Sequence, residues 1–231
     1  WWMGDPNIGT NGGYLDRWYQ VLDTPPIDLP NSTGSQTITF DQKRAIEDLC
    51  FGSSCPECSA GVLYDGWDAF NVRISSDGGE SWEVLTSVTP EYNTQNPYSF
   101  GYSFNENDNC GVPGWGGPEA ANPAWQQTVI SIPTSYNGQQ VKIRFAFAAD
   151  EGYATTDNSN LTGVWVDNIN VAGGVFTNDG EDATGFESKS LVALGGDLWH
   201  VDFTGIPPVI PMPQNVSVVA NDGTVEVSWD A

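Results

Sequence analysis

Apolar side chains occupy every second position of the sequence VKIRFAF at residues 141–147. The sequence FNVRIS at residues 70–75 repeats this period-two pattern. An extended strand with this period has one apolar face and one polar face, so both stretches are predicted to be half-buried β-strands. Four further stretches have the same strand character, at residues 36–40, 80–85, 128–132 and 163–171.

Turn residues separate these strands. The sequence SDGG at residues 76–79 has the composition of a tight hairpin turn. The one helical candidate, residues 42–49, is short and is equally consistent with a continued strand. Many short antiparallel strands within one domain are typical of two sheets that enclose a core. We therefore predict an all-β fold, a β-sandwich of the jelly-roll type.

The charge balance restricts the class of partner. The chain has 231 residues, with 30 acidic residues against 7 Lys and Arg, and a net charge of −23. Nucleic acid is not an expected partner, because binding a phosphate backbone needs clustered cations and these are scattered. No apolar run of 18 residues occurs, so membrane insertion is not expected. A surface this acidic attracts cations such as Ca²⁺.

Four cysteines, Cys50, Cys55, Cys58 and Cys110, allow three disulfide pairings. The CxxC spacing at residues 55–58 also suits a zinc knuckle, which is the alternative. The acidic, aromatic, lysine-poor composition indicates a secreted or cell-surface protein, where cysteines are oxidised. We therefore predict disulfides at these four positions and leave their pairing open.

A series of short motifs runs through residues 1–172. They are WWMGD at 1–5, GGY at 12–14, LDTPPIDL at 22–29, YDG at 64–66, ISSDGGESW at 74–82, VKIRF at 141–145 and GVWVDNI at 163–169. In this order they resemble the MAM-like jelly-roll modules of secreted bacterial surface proteins, as appended to immune inhibitor A-type peptidases and adhesins. The resemblance implies one jelly-roll β-sandwich over residues 1–174.

The C-terminal quarter departs from that pattern. Residues 176–182 and 198–200 are similar to the opening segment of such a module, yet they follow its last core strand. Residues 175–205 are therefore expected to be a permuted or next-repeat strand segment that packs on the sandwich, in cis or in trans. Residues 206–213 are rich in Pro and are predicted to be a linker. Residues 214–231 resemble the first two strands of a fibronectin type III domain, and this truncated hairpin ends before the rest of such a domain.

The resemblance also implies a structural Ca²⁺. Related modules hold it with carboxylates that match Glu47, Asp65 and Asp167 here. Apolar residues flank Asp167 in its predicted strand, where an unpaired charge is costly to bury. The alternative is that Asp167 pairs with Arg144 or accepts backbone N–H groups. Two further candidate ligands are Asp5 and Glu181.

Loop aromatics suggest a ligand site. Residues 92–125 combine aromatic side chains with Gly, Asn and Pro, and aromatic rings beside amides can stack on sugars and hydrogen-bond to them. The alternative is that these rings cover the ends of the sandwich and anchor long loops. The candidate ligand-binding residues are Tyr92, Tyr98, Tyr102, Trp115 and Trp125.

Catalytic motifs are lacking in the sequence. The single histidine, His200, excludes any site that needs two imidazoles, and no Gly-x-Ser-x-Gly motif occurs. We predict a non-catalytic extracellular module for adhesion or carbohydrate binding, with a glycan or a protein as its partner. One alternative is a structural subunit of an extracellular filament or surface layer, assembled from copies of the chain by strand exchange. The other is an accessory domain of a secreted peptidase.

Overall fold

A computed structural model of the chain describes residues 1–52, 55–192, 198–201, 214–221 and 224–230. The predicted linker at 206–213 and the turn residues 222–223 lie outside these ranges. Two antiparallel sheets form a sandwich, which confirms the all-β prediction.

Fifteen strands are present in the described ranges. In chain order they are β1 (Trp2–Met3), β2 (Tyr19–Asp23), β3 (Ile27–Asp28), β4 (Gln36–Ala45), β5 (Ala69–Ser75), β6 (Glu83–Val84), β7 (Val88–Thr89), β8 (Gln126–Ile132), β9 (Gln140–Ala148), β10 (Gly163–Val171), β11 (Phe176–Asn178), β12 (Glu187–Ser190), β13 (Trp199–His200), β14 (Gln214–Asn221) and β15 (Thr224–Asp230). Short helical turns occur at Ser99–Ser103, Glu106–Asn109 and Thr134–Tyr136.

The strand order places sequence-distant strands side by side. The first sheet has the order β13-β1-β10-β4-β8-β7, with β11 also beside β10. The second sheet has the order β12-β2-β9-β5-β6, with β3 also beside β9. All six predicted strand stretches contain a strand, although the stretch at 80–85 shortens to β6. The helix-or-strand choice at residues 42–49 is settled as a strand that ends at Ala45.

The core lies between the two sheets. In β4, Ile38 and Phe40 are buried while Thr39 between them is partly exposed, as the alternation requires. Large apolar side chains from both sheets fill the interior, among them Phe40, Phe70, Trp115 and Phe145. The rings of Phe40 and Phe145 meet edge to face, with centroids 5.2 Å apart. Such burial is the main favourable contribution to folding.

The described part of segment 175–205 adds strands to both sheets of the same chain. Strand β11 pairs with β10, β12 pairs with β2, and β13 pairs with β1. Strands β14 and β15 form a separate antiparallel hairpin. That this hairpin begins a fibronectin type III domain remains a prediction.

Two disulfides use all four cysteines. Cys50 pairs with Cys55 and Cys58 pairs with Cys110. No thiolate is left for a metal, so the zinc alternative is wrong. Disulfides persist in oxidising surroundings, which indicates a compartment other than the cytoplasm. Within the described ranges, no helix has the length and apolar character needed to cross a membrane.

Candidate cation site

Three carboxylates converge at one end of the sandwich. Glu47 follows strand β4 by two residues, Asp68 directly precedes β5, and Asp150 follows β9 by two residues. One oxygen atom from each carboxylate lies within 4.8 Å of the other two. The cluster therefore has ligands from three strand ends in two different sheets.

Strand pairing explains this convergence. Strands β5 and β9 run antiparallel with Ala69 opposite Ala148, so the residue before β5 lies beside the residues after β9. The backbone N–H of Asp150 donates to Oδ1 of Asp68 at 2.9 Å. Strand β4 belongs to the other sheet and contributes Glu47 from across the sandwich.

Tyr14 connects two of the three acidic residues. Its hydroxyl donates to Oδ2 of Asp68 at 2.5 Å and accepts from the backbone N–H of Glu47 at 3.0 Å. The Tyr14 ring is fully buried and meets the Phe147 ring edge to face, with centroids 5.0 Å apart. These contacts hold Asp68 and the Glu47 backbone in place.

Burial makes three negative charges unfavourable here. The exposed fractions of Glu47, Asp68 and Asp150 are 9%, 1% and 7%. Burial, followed by the negative charges of Asp68 and Asp150, raises the pKa of Glu47 to about 10. Burial also raises the pKa of Asp150 to about 6, and burial with the charge of Asp150 raises the pKa of Asp68 well above its ordinary range. Without a cation, the cluster therefore retains protons at neutral pH.

One carboxylate oxygen has no partner. Oε2 of Glu47 is buried and makes no hydrogen bond, an arrangement that costs free energy unless a ligand satisfies it. Calcium binds oxygen at about 2.3–2.6 Å, so two oxygens on one ion lie at most about 5.2 Å apart. The spacing of the cluster satisfies that limit. Glu47, Asp68 and Asp150 thus fit a Ca²⁺ ion, and they are the residues that would hold it.

The structure does not bring together Glu47, Asp65 and Asp167, the three calcium ligands expected from the sequence. Glu47 belongs to the cluster, whereas Asp65 and Asp167 do not. Oδ1 of Asp65 accepts hydrogen bonds from the backbone N–H groups of Gln95 and Asn96, so this carboxylate holds a loop. Asp167 is partly exposed, and its Oδ1 accepts from the backbone N–H of Asn168 at 2.7 Å. The burial cost expected for Asp167 is therefore small.

The two further candidates also lie outside the cluster. Oδ1 of Asp5 accepts two hydrogen bonds from Asn7, both at 2.8 Å. Glu181 is exposed and lines a surface pocket with Asp167. Sequence reasoning missed Asp68 and Asp150. Each of these two aspartates lies at the boundary of a strand that the sequence predicts clearly, Asp68 before β5 and Asp150 after β9. This position indicates a shared site only when β5 and β9 are known to pair.

The candidate ligand-binding aromatics do not form one surface. Tyr92 and Trp115 are buried in the core with ring centroids 4.4 Å apart, so neither is accessible to a sugar. Tyr98 and Tyr102 stack on each other at 4.7 Å, and Tyr102 is exposed. Trp125 is exposed in a different place, where Nζ of Lys43 lies 5.1 Å from its ring centroid. The alternative reading of these aromatics, as packing material, is correct for the first two.

The single histidine has structural contacts. His200 lies in β13, partly buried, and its ring meets the Trp2 ring edge to face with centroids 5.0 Å apart. Its Nδ1 lies 3.1 Å from the carbonyl oxygen of Leu198.

No protein-family model matches the chain, and no curated protein matches it. The likeness to MAM-like and fibronectin type III modules therefore remains a prediction.

Proposed function

We propose that the chain is a calcium-stabilised, non-catalytic module of a secreted or cell-surface protein, and that its role is adhesion or ligand binding. The observation that supports calcium is the buried, unpartnered Oε2 of Glu47 inside a cluster of three carboxylates. A divalent cation neutralises the mutual repulsion of these groups and supplies the missing partner. The two disulfides support an oxidising location.

The burial of the cluster favours a structural ion over a catalytic one. Catalytic metal sites keep an open coordination position for water or substrate. Asp68 is almost completely buried and its Oδ2 is already bound to Tyr14, which restricts access to a substrate. The proposed ion would join the end of β4 in one sheet to the ends of β5 and β9 in the other. Its role would be to stiffen the scaffold that presents a binding surface.

Calorimetric titration of the EDTA-treated, dialysed chain with CaCl₂ tests this proposal. We expect one site and a calcium-dependent rise in the melting temperature. At a free calcium concentration of 100 Kd the stabilisation is about 2.7 kcal/mol, which is about 5–10 °C for a domain of this size. The absence of both binding heat and a thermal shift would overturn the calcium assignment. MgCl₂ is the control ion, and we expect it to bind more weakly because it is reluctant to lose water.

A filament subunit remains the second candidate. Strands β12 and β13, from the C-terminal segment, occupy outer positions in the two sheets, and such strands can be exchanged between copies. In this structure both pair within their own chain. Light scattering with calcium and then with EDTA separates the candidates. A monomer in both conditions contradicts the filament, and long assemblies that need calcium support it.

A further inference from the structure

The guanidinium group of Arg44 is buried without a carboxylate partner. Arg44 lies in β4 and is 9% exposed. Its Nε donates to the carbonyl oxygen of Gly117 at 3.1 Å, and its Nη1 donates to Oε1 of Gln42 at 2.5 Å. Among the described residues, no carboxylate oxygen lies within 4.0 Å of this group. The Cζ atom of Arg44 also lies 5.7 Å from the centroid of the Trp115 ring. The positive charge therefore has neutral partners and no carboxylate partner in the described part of the chain.

The other buried arginines are neutralised within the chain. Nη2 of Arg73 lies 3.0 Å from Oε2 of Glu106, and Nε of Arg144 lies 2.7 Å from Oδ1 of Asp23. With 30 acidic residues the chain has many carboxylates to spare, yet none is placed at Arg44. Desolvation lowers the pKa of Arg44 to about 10, so the group remains charged at neutral pH. A buried, unpaired cation favours the binding of an anion from outside.

Arg44 lines a pocket of about 320 Å³ at the end of β4 and β8. That volume is at the lower end of the usual range for small-molecule sites, about 300–1,000 Å³, and suits one sugar unit. The hydrogen bonds that Arg44 makes to described residues come from Nε and Nη1. The other lining residues are Gln42, Pro118, Pro123, Ala124, Trp125 and Gln126.

Trp125 supplies the exposed aromatic surface of the pocket. Its side chain is 49% exposed, and it also lines the neighbouring pocket that contains Lys43. Nζ of Lys43 lies between two indoles, 5.1 Å from the Trp125 centroid and 4.1 Å from the Trp165 centroid. Trp125 thus lines one pocket with Arg44 and another with Lys43. Because successive residues of a strand face opposite sides, Lys43 and Arg44 serve different pockets.

We propose that the Arg44 pocket binds one carboxylate-bearing sugar, a hexuronic acid unit within an otherwise neutral glycan. The sugar ring stacks on Trp125, its carboxylate accepts hydrogen bonds from the guanidinium group of Arg44, and a hydroxyl bonds to the amide of Gln126. The inference rests on the proposed role as a ligand-binding module, and it names the site and the ligand class.

Two properties of the pocket and one of the whole chain favour this ligand. Because Nε of Arg44 donates to Gly117, a carboxylate would be bound through Nη2 and the second proton of Nη1, as two parallel hydrogen bonds from one planar guanidinium group. A half-exposed indole suits the flat apolar face of a sugar ring. A net charge of −23 repels a polyanion, which favours an isolated acidic unit over a polyuronate chain. A peptide with a free C-terminal carboxylate has the same charge but lacks the flat ring.

The test compares two sugars that differ only at the carboxylate. The calcium-saturated full chain is titrated calorimetrically with xylotriose that carries one glucuronic acid, and with the same compound after reduction of its carboxyl to CH₂OH. We expect the reduced sugar to bind at least about tenfold more weakly, since a charge-assisted hydrogen bond is lost. Equal affinity for the two sugars, or no binding of either, would overturn the inference. A tripeptide with a free C-terminal carboxylate is a further probe, with its C-terminal amide as the control. If the tripeptide binds more tightly than both its amide and the acidic sugar, the inference is also overturned.

Two variants of pocket residues, Trp125→Ala and Arg44→Lys, and one control variant, Tyr102→Ala, test whether the sugar binds in this pocket. Trp125→Ala removes the stacking surface, and Tyr102→Ala, which truncates another exposed aromatic residue, is the matched control. We expect the first to lose about tenfold or more in affinity for the acidic sugar and the second to lose none. Equal losses in both variants would contradict the site. Arg44→Lys keeps the charge but not the paired hydrogen bonds and is expected to weaken binding in the same way; if it does not fold, the two sugars on the unaltered chain still decide.

Calcium binding, measured on the same samples, separates the inference from the wider proposal. Calcium binding without sugar binding overturns the uronic acid site and leaves the calcium site standing. Sugar binding without calcium binding supports the uronic acid site and removes the calcium assignment.

Discussion

Arg44 and Glu47 are a buried basic and a buried acidic side chain only three residues apart, yet they do not form an ion pair. Arg44 lies in a pocket with a positive charge that is not neutralised. Glu47 lies in a cluster of three carboxylates. In both places the fold buries an ionisable side chain that has no side-chain ion-pair partner among the described residues. Under the two proposals made above, the end of β4 would serve two separate ligands, a metal ion and an anion.

The pair formed by Asp23 and Arg144 shows the opposite solution. Arg144 donates two hydrogen bonds to the Asp23 carboxylate, at 2.7 and 2.9 Å, and both side chains are buried. A buried pair with this geometry needs no external ion. It is therefore the internal standard with which buried Arg44 and buried Glu47 can be compared.

The largest expected effect is at this standard pair. Asp23→Asn leaves the Arg144 charge buried without its counterion, and we expect a loss of about 3–5 kcal/mol in the free energy of unfolding. Urea denaturation measures it. The matched control is the double variant Asp23→Leu with Arg144→Met, which removes both charges and is expected to cost less. If Asp23→Asn lowers the free energy of unfolding by less than about 1 kcal/mol, the buried pair is not a valid standard for the other buried ionisable side chains.

The second largest change in stability is expected at the cluster of three carboxylates, Glu47, Asp68 and Asp150. Glu47→Gln is expected to abolish the calcium-dependent stabilisation, about 2.7 kcal/mol at a calcium concentration of 100 Kd. The matched control is Asp65→Asn, which alters a loop carboxylate outside the cluster and is expected to keep the full calcium response. Thermal unfolding of the two variants, each in CaCl₂ and in EDTA, gives the four melting temperatures that are compared. If the two variants lose the calcium response equally, Glu47 is not the ligand.

The pH dependence of the calcium-free chain is the third test. The pKa of Asp150 rises from 3.8 to about 6 and that of Glu47 from 4.5 to about 10, so the folded chain binds protons more tightly than the unfolded chain. The stabilisation from these two groups is complete below about pH 4 and is lost as the pH rises, through pH 6 for Asp150 and towards pH 10 for Glu47. We expect Glu47→Gln to flatten this decline, measured by urea denaturation in EDTA across that range. An unchanged pH profile in Glu47→Gln would contradict the assignment.

The smallest effect is expected at an exposed pair. Nη2 of Arg17 lies 3.4 Å from Oε1 of Glu151, and both side chains are largely open to water. Arg17→Ala should change the free energy of unfolding by less than about 1 kcal/mol, because solvent screens the interaction. A loss as large as that of Asp23→Asn would show that burial does not distinguish the pairs. Repeating the measurement in high salt shows whether the small effect is electrostatic.

The candidate sites were only partly predictable. Glu47 was found through a resemblance, but its partners Asp68 and Asp150 are 82 residues apart and meet only because β5 pairs with β9. Asp167 has apolar neighbours in the sequence, yet in the strand its side chain lies on the partly exposed face. Trp115 and Trp125 both lie in the Gly- and Pro-containing stretch 92–125, and only the fold shows that the first is buried and the second exposed.

Features that depend on neighbours along the chain were determined by the sequence alone. Period-two alternation is a local property of an extended strand, so the strands and the all-β class could be read directly. The partners of each strand, the pairing of the cysteines and the burial of each charge depend on contacts between distant residues. Only the tertiary structure decided these, because the free energy of a buried charge is set by what surrounds it in space and not by what adjoins it in sequence.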